Sequence, residues 1–164
     1  MFALLSLVSL AVAAPDPCAA IKTKTDAFSG QAARTYLAAG GWQVTELAGS
    51  VTLAWTLTST GLFDLPLPAG TVLKVRVEDG TIVELISKDI ALAEKKLVNN
   101  AVFTSWIPVW TMTPEVAAKL GQSKPMAMEA EAIGQKWTMV AGYGPGFEKL
   151  YAVMGCLTKP AAAP

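Results

Sequence analysis

The segment SVTLAWTLTST, residues 50–60, has the most regular pattern in this 164-residue chain. Its apolar side chains occupy every second position, at Val51, Leu53, Trp55 and Leu57. A period of two places alternate side chains on opposite faces of a β-strand, whereas a helix repeats every 3.6 residues. The pattern therefore predicts a strand with one apolar face and one hydroxyl-lined face.

The polar face of this strand carries Thr52, Thr56 and Thr58. Threonine has a high strand propensity and a hydroxyl group that tolerates water, so such a row is typical of the solvent side of a sheet. A flat surface that matches an ordered lattice would need the row on neighbouring strands too, and no such repeat is evident in the sequence. We therefore expect solvated strand surface here and not a binding site.

A first β-hairpin is predicted around Glu78-Asp79-Gly80, between two β-branched runs. A two-residue turn at Asp79-Gly80 would place Glu84 opposite Val75. A three-residue loop with Gly80 in the left-handed conformation would place Lys74 opposite Glu84. The second register is preferred because it pairs unlike charges across the strands.

A second hairpin is predicted with a two-residue turn at Gly134-Gln135. This turn would place eight residues on one apolar face, in the pairs Ala132 with Trp137, Ala130 with Met139, Met128 with Ala141, and Met126 with Tyr143. The competing interpretation is a helix over MAMEAEAI, because Ala, Met and Glu favour helices. The hairpin is preferred because both strands agree on which face is apolar.

Short helices are predicted at three places. Thr113-Pro114-Glu115 supplies an N-cap, a first-turn proline and a first-turn acid for a helix that Gly121 ends. The segment 88–100 has helical spacing and ends in two asparagines. A third stripe recurs at i, i+3, i+4 and i+7 near the C-terminus, with Cys156 in its last turn; it comprises Phe147, Leu150, Tyr151 and Met154.

Two other segments are less regular. Residues 19–39 are predicted as strand, turn and strand, with a helix as the alternative. A strand is also expected at 42–47 and another at 101–112, where Pro108 cannot donate a hydrogen bond and so indicates a sheet edge or a bend. Together the patterns predict an α+β fold, mainly antiparallel β, as a sandwich or open barrel of about seven or eight strands with two or three short helices.

Residues 1–14 have the character of a secretory signal peptide. An apolar run from Phe2 to Val12 leads to small residues at Ala13 and Ala14. We therefore expect export to the periplasm or the medium, a single β-rich domain over 15–158, and a disordered tail over 159–164. No membrane span is expected after cleavage of the signal peptide.

The chain has two cysteines, Cys18 and Cys156, near opposite ends of the expected mature protein. In an oxidising compartment an even pair is most simply a disulfide. It would pin the C-terminal helix to the N-terminal strand. The alternative is two unrelated buried thiols.

A short motif follows the first cysteine and consists of Asp26, Phe28, Ser29 and Gly30. Together with a second cysteine in a C-terminal helix, it resembles small uncharacterised secreted bacterial domains that have an Asp-x-Phe-Ser-Gly turn after an N-terminal cysteine. The resemblance covers a small part of the chain and implies no activity.

The side chains that usually carry catalysis are scarce in this sequence. It contains no histidine, which removes the commonest general base and zinc ligand, and a disulfide would occupy both cysteines. Glu129 and Glu131 are the best remaining pair for a carboxylate-only hydrolase, which we rank last among the functions. No metal site, cofactor or catalytic set is predicted. Thirteen acidic and thirteen basic residues balance, which argues against nucleic acid as a partner, and we expect a monomer.

Two sets of residues are candidates for recognition. Trp106, Pro108 and Trp110 share one face of an extended strand and form a candidate binding surface for a glycan or a protein, although large aromatics also fill cores. The second set would line a cavity for a small apolar ligand and comprises Met126, Met128, Trp137 and Met139. The leading expectation is an exported, non-catalytic binding or structural module, and the alternative is a carrier of a small apolar ligand.

Overall fold

A computed structural model describes residues 16–158 of the chain, except 26, 28, 39 and 143–148. The predicted signal peptide, the predicted tail, Phe147 of the helical stripe, and Asp26 and Phe28 of the short motif lie outside the described residues. The described chain is mainly antiparallel β with two α-helices, one of them at the C-terminal end. This confirms the predicted α+β fold class.

Twelve strands are present in the described residues, more than the seven or eight expected. They are β1 Lys22–Thr25, β2 Ala32–Leu37, β3 Trp42–Leu47, β4 Ser50–Trp55, β5 Leu57–Thr60, β6 Val72–Val77, β7 Ile82–Ile86, β8 Glu94–Val98, β9 Ala101–Trp106, β10 Val109–Met112, β11 Pro125–Ala132 and β12 Gln135–Val140. They form three antiparallel sheets with the orders β1-β2-β3-β4-β10, β12-β11-β6-β7 and β5-β9-β8.

The extra strands arise partly because two long segments bend and enter different sheets. The alternating segment 50–60 breaks at Thr56 into β4 and β5, and the segment 101–112 breaks before Val109 into β9 and β10. Leu57 lies opposite Trp106 on one side of the bend, and Ala54 lies opposite Val109 on the other, which is one continuous register. Pro108 interrupts the ladder at the bend, which confirms the prediction made from its missing N–H.

Contacts between the sheets close them around one core. The bridge between Ser87 and Trp110 joins β7 to β10. At the other end the Trp137 indole N–H donates to the Thr58 carbonyl at 3.2 Å, which places β12 beside β5. The largest fully buried side chains are Trp42, Leu53, Leu57, Leu67, Leu73, Trp106, Trp110, Leu120, Met128, Leu150 and Met154. The architecture therefore lies between a sandwich and an open barrel.

The two hairpins differ in how well the sequence predicted them. Gly80 adopts φ +83° in a three-residue loop, and Lys74 lies opposite Glu84, as preferred. The second turn falls at Ile133-Gly134, so the predicted turn at Gly134-Gln135 is wrong, as is the alternative helix. Both turn residues have positive φ, which a two-residue I′ turn requires. The observed pairing differs from the predicted one by two residues, so the paired side chains stay on their predicted faces.

The segment 88–100 contains strand β8 and no α-helix, so the predicted helix there is wrong. Asn99 and Asn100 have φ values of +47° and +63° and form a tight turn between β8 and β9. Asparagine tolerates the left-handed conformation at both positions of such a turn. The two asparagines therefore form the turn of a hairpin, whereas the sequence pattern had suggested the end of a helix.

The two α-helices confirm the other helix predictions. Helix α1, Pro114–Gln122, begins after the N-cap Thr113, whose hydroxyl accepts a hydrogen bond from the Val116 N–H. It continues one residue past Gly121, the predicted end. Helix α2 spans Leu150–Leu157, and Gly121 packs closely on its Gly155, since a Cβ added at Gly121 would lie 3.0 Å from the Gly155 nitrogen.

The N-terminal region is tied to α2. A short 3₁₀ helix, Pro17–Ala20, precedes β1, and the disulfide between Cys18 and Cys156 joins it to α2, as predicted. The described residues of segment 22–37 form strands β1 and β2 and no helix, which confirms the preferred interpretation. Behind the sheet, Arg34 bonds the Glu46 carboxylate at 2.9 Å and the Leu157 carbonyl at 2.6 Å, so β2 also holds the end of α2.

Candidate binding surfaces

The predicted aromatic binding surface belongs to the core. Trp106 and Trp110 are 1% and 0% exposed, and Pro108 between them is buried. The Trp106 indole N–H donates to the Leu65 carbonyl at 3.0 Å, and that of Trp110 donates to the Thr71 carbonyl at 2.9 Å. Alternation at the bend points this face inward. These residues therefore do not form the exposed surface that we expected.

The predicted apolar lining is divided between the core and the surface. Met128 is fully buried, and the ring of Trp137 packs edge-on against Trp106 with 5.5 Å between centroids. Met139 is half-buried near Gly40. Met126 is exposed, because the pairing of β11 with β6 is irregular between Pro125 and Ala127. Met128, Trp137 and Met139 share the inward face of the hairpin, whereas Met126 does not.

The outer face of β6, β7, β11 and β12 carries alternating charges. Lys74 lies opposite both Glu84 and Glu129, and the Lys136 ammonium lies 2.8 Å from the Glu129 carboxylate. The Glu129 hydrogen bond and charge raise the pKa of Lys136 above its ordinary value. Two shallow grooves of about 530 and 400 Å³ cross this face. Its ions neutralise one another, as on an ordinary solvated sheet face.

Glu129 and Glu131 line one of these grooves but do not share a dry cleft. Glu131 is exposed and lies opposite Lys136, to which Glu129 is also paired. General acid and base roles would require carboxyls in different environments. Within the described part of the chain, no group of three or more Cys, Asp or Glu residues is placed to hold a metal ion.

The outer face of β2, β3, β4 and β10 contradicts the expectation that the threonine row is not repeated. One threonine from each strand lies directly opposite the next, in the order Thr35, Thr45, Thr52 and Thr111. The four side chains are half-buried and form a ladder across the sheet. We call the outward side chains of these four strands the threonine face. The repeat escaped sequence analysis because it runs between strands that are distant in the chain.

The threonine face is uncharged on its four strands, although Lys22 and Lys24 of the edge strand β1 lie opposite Thr35 and Ala33 on the same side of the sheet. Besides the ladder, its positions hold Ala33, Leu37, Gln43, Leu47, Ser50, Ala54 and Val109. The hydroxyls of Thr35 and Thr45 lie 3.3 Å apart, and the Gln43 amide donates to Thr45 at 3.0 Å. These hydroxyls bond within the sheet, so the ladder satisfies part of its own hydrogen-bonding capacity.

A more apolar surface lies at the other end of the bent strand pair. Six aliphatic side chains among the described residues are more than 60% exposed, and five of them lie in the segments 61–67 and 90–97. We call these five the leucine patch: Leu62, Leu65, Ile90, Leu92 and Leu97. Single exposed aliphatics are common, but clusters of them mark interaction sites.

Two contacts hold the segments of the patch side by side. Leu67 forms a backbone bridge with Ala91, and Asp64 forms an ion pair with Lys95 of β8. Sequence analysis missed the patch because it predicted a helix over residues 88–100 and no partner for the segment before β6. The signal available was the three leucines in GLFDLPLP, which a solvated loop does not require.

Segment 61–67, which we call the strap, is anchored to β9 by buried polar groups. The buried Thr104 hydroxyl donates to the Gly61 carbonyl at 2.7 Å and accepts from the Phe63 N–H at 3.2 Å. The Trp106 indole holds the Leu65 carbonyl. Leu62 and Leu65 are therefore presented to solvent on a backbone held at three points, which lowers the ordering entropy that binding would cost.

Comparison with protein-family models, with curated proteins and with solved structures found no match for this chain. In the described residues no helix is both long enough and apolar enough to cross a membrane.

Proposed function

We propose that this chain is an exported, non-catalytic binding module that recognises a partner macromolecule through the leucine patch. The observation that carries the proposal is the concentration of five strongly exposed aliphatic side chains on two segments joined by a backbone bridge and an ion pair. Burying such side chains contributes roughly 1.5 to 3 kcal/mol each when they pass fully out of water. An anchored apolar cluster of this kind is typical of a protein interface.

Export is supported by two independent features. Residues 1–14 have the pattern of a signal peptide, and Cys18 and Cys156 form a disulfide, a bond that persists in oxidising compartments. We infer a secreted or periplasmic location and a monomer that meets its partner there. A non-catalytic role is supported by the lack of histidine in the sequence and by the use of both cysteines in the disulfide.

The test compares two changes of the same type. Leu65→Lys with Leu92→Lys places two charges on the leucine patch, whereas Leu37→Lys places a charge on an equally exposed leucine of the threonine face. The immobilised mature protein is incubated with the exported fraction of its host, and retained proteins are identified by mass spectrometry. We expect a specific partner that the patch variant loses and the Leu37 variant keeps.

Because all three leucines are exposed, each variant should unfold within about 0.5 kcal/mol of the wild type. Thermal denaturation checks that condition. Retention of the same proteins by the patch variant and the wild type would show that the leucine patch is not the binding surface.

A further inference from the structure

We propose that the β1 edge of the five-stranded sheet, beside the threonine face, binds an acidic glycan, that is, a polysaccharide whose sugars carry carboxylates. Binding at this second surface does not depend on the leucine patch and goes beyond the proposed function. Three features of the described residues carry it: an unbalanced charge, a polar groove and a row of hydroxyls.

The outer face of the sheet β1-β2-β3-β4-β10 has an unbalanced charge. Lys22 and Lys24 of β1, which we call the lysine edge, project on the same side as the threonine ladder, since Lys22 lies directly opposite Thr35. The five strands contain one acidic residue, Glu46, which faces the other side and is paired with Arg34 at 2.9 Å. The outward side chains of these strands therefore comprise two cations and no carboxylate.

The lysine edge has no counterion among the described residues. None of their ion pairs involves Lys22 or Lys24, and both side chains are exposed. The outer face of β6, β7, β11 and β12, by contrast, carries carboxylates opposite its cations. Lysines also protect a sheet edge against pairing, but that role does not require neighbouring strands without acids. An anionic partner accounts for both the lysines and the acid-free face.

A groove of about 310 Å³ lies at the lysine edge. It is lined by Lys24, Ser29, Gln31, Ala33 and Leu47. An ammonium group beside a hydroxyl and an amide suits a carboxylate, because hydrogen bonds to an ionised acceptor are the stronger ones. The two apolar side chains suit the C–H face of a sugar ring. The groove therefore combines the contacts that one acidic sugar needs.

The threonine ladder extends these contacts away from the lysine edge. It begins opposite Lys22 and places one hydroxyl on each strand, at spacings of about 4.8 Å. The Thr52 hydroxyl donates to the Thr45 carbonyl at 3.4 Å, and its oxygen keeps lone pairs that can accept from a sugar hydroxyl. The tryptophans of these strands are buried on the other face, so no aromatic ring is presented for a nucleic-acid base to stack on. A hydroxyl-rich polyanion therefore fits this face better than a nucleic acid.

The probe is a hexamer of galacturonate, and its matched control is the same hexamer with methyl-esterified carboxylates. Binding to the mature, disulfide-bonded protein is measured by NMR titration at low salt. We expect the amide signals of β1 and of residues 29–33 to shift and those of β8 to change little. The esterified hexamer keeps its hydroxyls but loses its charge, so it should bind about tenfold more weakly.

Substitutions locate the site. Lys22→Gln with Lys24→Gln removes the lysine edge and should weaken binding of the galacturonate hexamer about tenfold. Lys88→Gln with Lys96→Gln removes the same net charge from exposed lysines elsewhere and should bind as the wild type does. Gln31→Glu is nearly isosteric and places a carboxylate in the groove, so it should also weaken binding. All five positions are exposed, and thermal denaturation checks that each variant folds.

Four results would overturn the inference: no binding of the galacturonate hexamer, equal binding of its methyl ester, an equal loss with both lysine pairs, or signal shifts confined to another surface. Hexaglutamate tests the contribution of the sugar, because it carries carboxylates without hydroxyls. Binding of hexaglutamate as tight as that of the galacturonate hexamer would make the edge a general anion surface and would reject the glycan.

The leucine-patch variant keeps the two proposals distinct. Leu65→Lys with Leu92→Lys should lose the host partner and still bind the galacturonate hexamer, whereas the variant without the lysine edge should do the reverse. A patch variant that loses both ligands would overturn the separate glycan site. A lysine-edge variant that loses the hexamer while the host partner never required the patch supports the glycan site and rejects the proposed function.

Discussion

The threonine face and the leucine patch lie at opposite ends of the same bent pair of strands, and the side chains that define each of them are uncharged. On the threonine face, hydroxyls from four strands lie in one row; those of Thr35 and Thr45 bond to each other, and that of Thr52 donates to the Thr45 carbonyl. In the leucine patch, apolar side chains project from the strap and from residues 90–97, and a buried threonine and tryptophan hold the strap beneath them. One surface satisfies part of its hydrogen-bonding capacity within the sheet, whereas the other leaves apolar area in water.

The difference teaches that lack of charge alone does not identify a binding surface. At the threonine-face end, helices α1 and α2 pack behind the sheet, and α2 is held by the disulfide and by Arg34. At the patch end, the strap covers the sheet, with Leu67 buried and Leu62 and Leu65 facing outward. The free energy to be gained by binding is therefore concentrated at the patch, because its side chains are the ones that water solvates poorly.

The largest expected effect tests how the threonine-face end is braced. Replacing Cys18 and Cys156 by serine should lower the free energy of unfolding by about 4 to 5 kcal/mol, because the disulfide spans 138 residues and restricts the unfolded chain. Guanidinium denaturation measures this loss, and the reduced wild type should match the variant. In addition, exchange by local opening should increase more in β2 and β3, which contact α2, than in β8 and β9. An equal increase at both ends would show that the disulfide does not brace one end selectively.

A second expected effect concerns Trp106, the last residue of β9 before the bend between the two ends. Trp106→Ala should cost about 3 to 5 kcal/mol, because it empties a core site and frees the strap from the indole. Trp106→Phe should cost less, since a ring still packs near Phe63 and Trp137. Urea denaturation of both variants is the measurement. If Trp106→Ala costs under about 1 kcal/mol, Trp106 is not the core residue that its burial indicates.

A third effect is pH-dependent and belongs to the threonine-face end. Burial acts to raise the pKa of Glu46, but hydrogen bonds from Arg34 and the Gly49 N–H, together with the Arg34 charge, outweigh it and place the pKa below 4.5. The folded state therefore gains stability from this carboxylate above pH 4.5 and loses it as the pH falls through the lowered pKa.

Glu46→Gln removes the charge at similar volume and should cost about 1 kcal/mol at pH 7. Its stability should approach that of the wild type in acid, as followed by denaturant titrations from pH 7 to 2.5. Glu94→Gln, on the exposed strand β8, is the control and should change little. A pH-independent gap between wild type and Glu46→Gln would contradict the assigned pKa direction.

The smallest expected effect tests whether the threonine face, and not the leucine patch, binds the partner. Thr45→Val keeps strand propensity but removes the hydroxyl that bonds Gln43 and Thr35, at a cost of about 0.5 kcal/mol. We expect this variant to retain the host partner fully, as judged by the same capture experiment. Loss of the partner with the fold intact would make the threonine face the binding surface.

Features that depend on neighbouring residues were predictable from the sequence. The three-residue loop at Gly80 was predicted because it places Lys74 opposite Glu84. The start of α1 was predicted from the N-cap Thr113 and the first-turn Pro114. Local patterns gave wrong predictions where two different structures have the same sequence pattern. The asparagines after β8 suit a helix end as well as a hairpin turn, and the turn at Ile133-Gly134 needed a left-handed isoleucine, which sequence rules disfavour.

By itself the sequence determined the β-rich class, the amphipathic strands and the available pair of cysteines, because alternation and composition are properties of the chain. The tertiary structure decided which rows meet. The threonine ladder needs four strands in register, the burial of Trp106 and Trp110 needs the bend at Pro108, and the leucine patch needs the strap beside β8. These arrangements arise from pairing between distant segments, and no local pattern encodes which segments become neighbours.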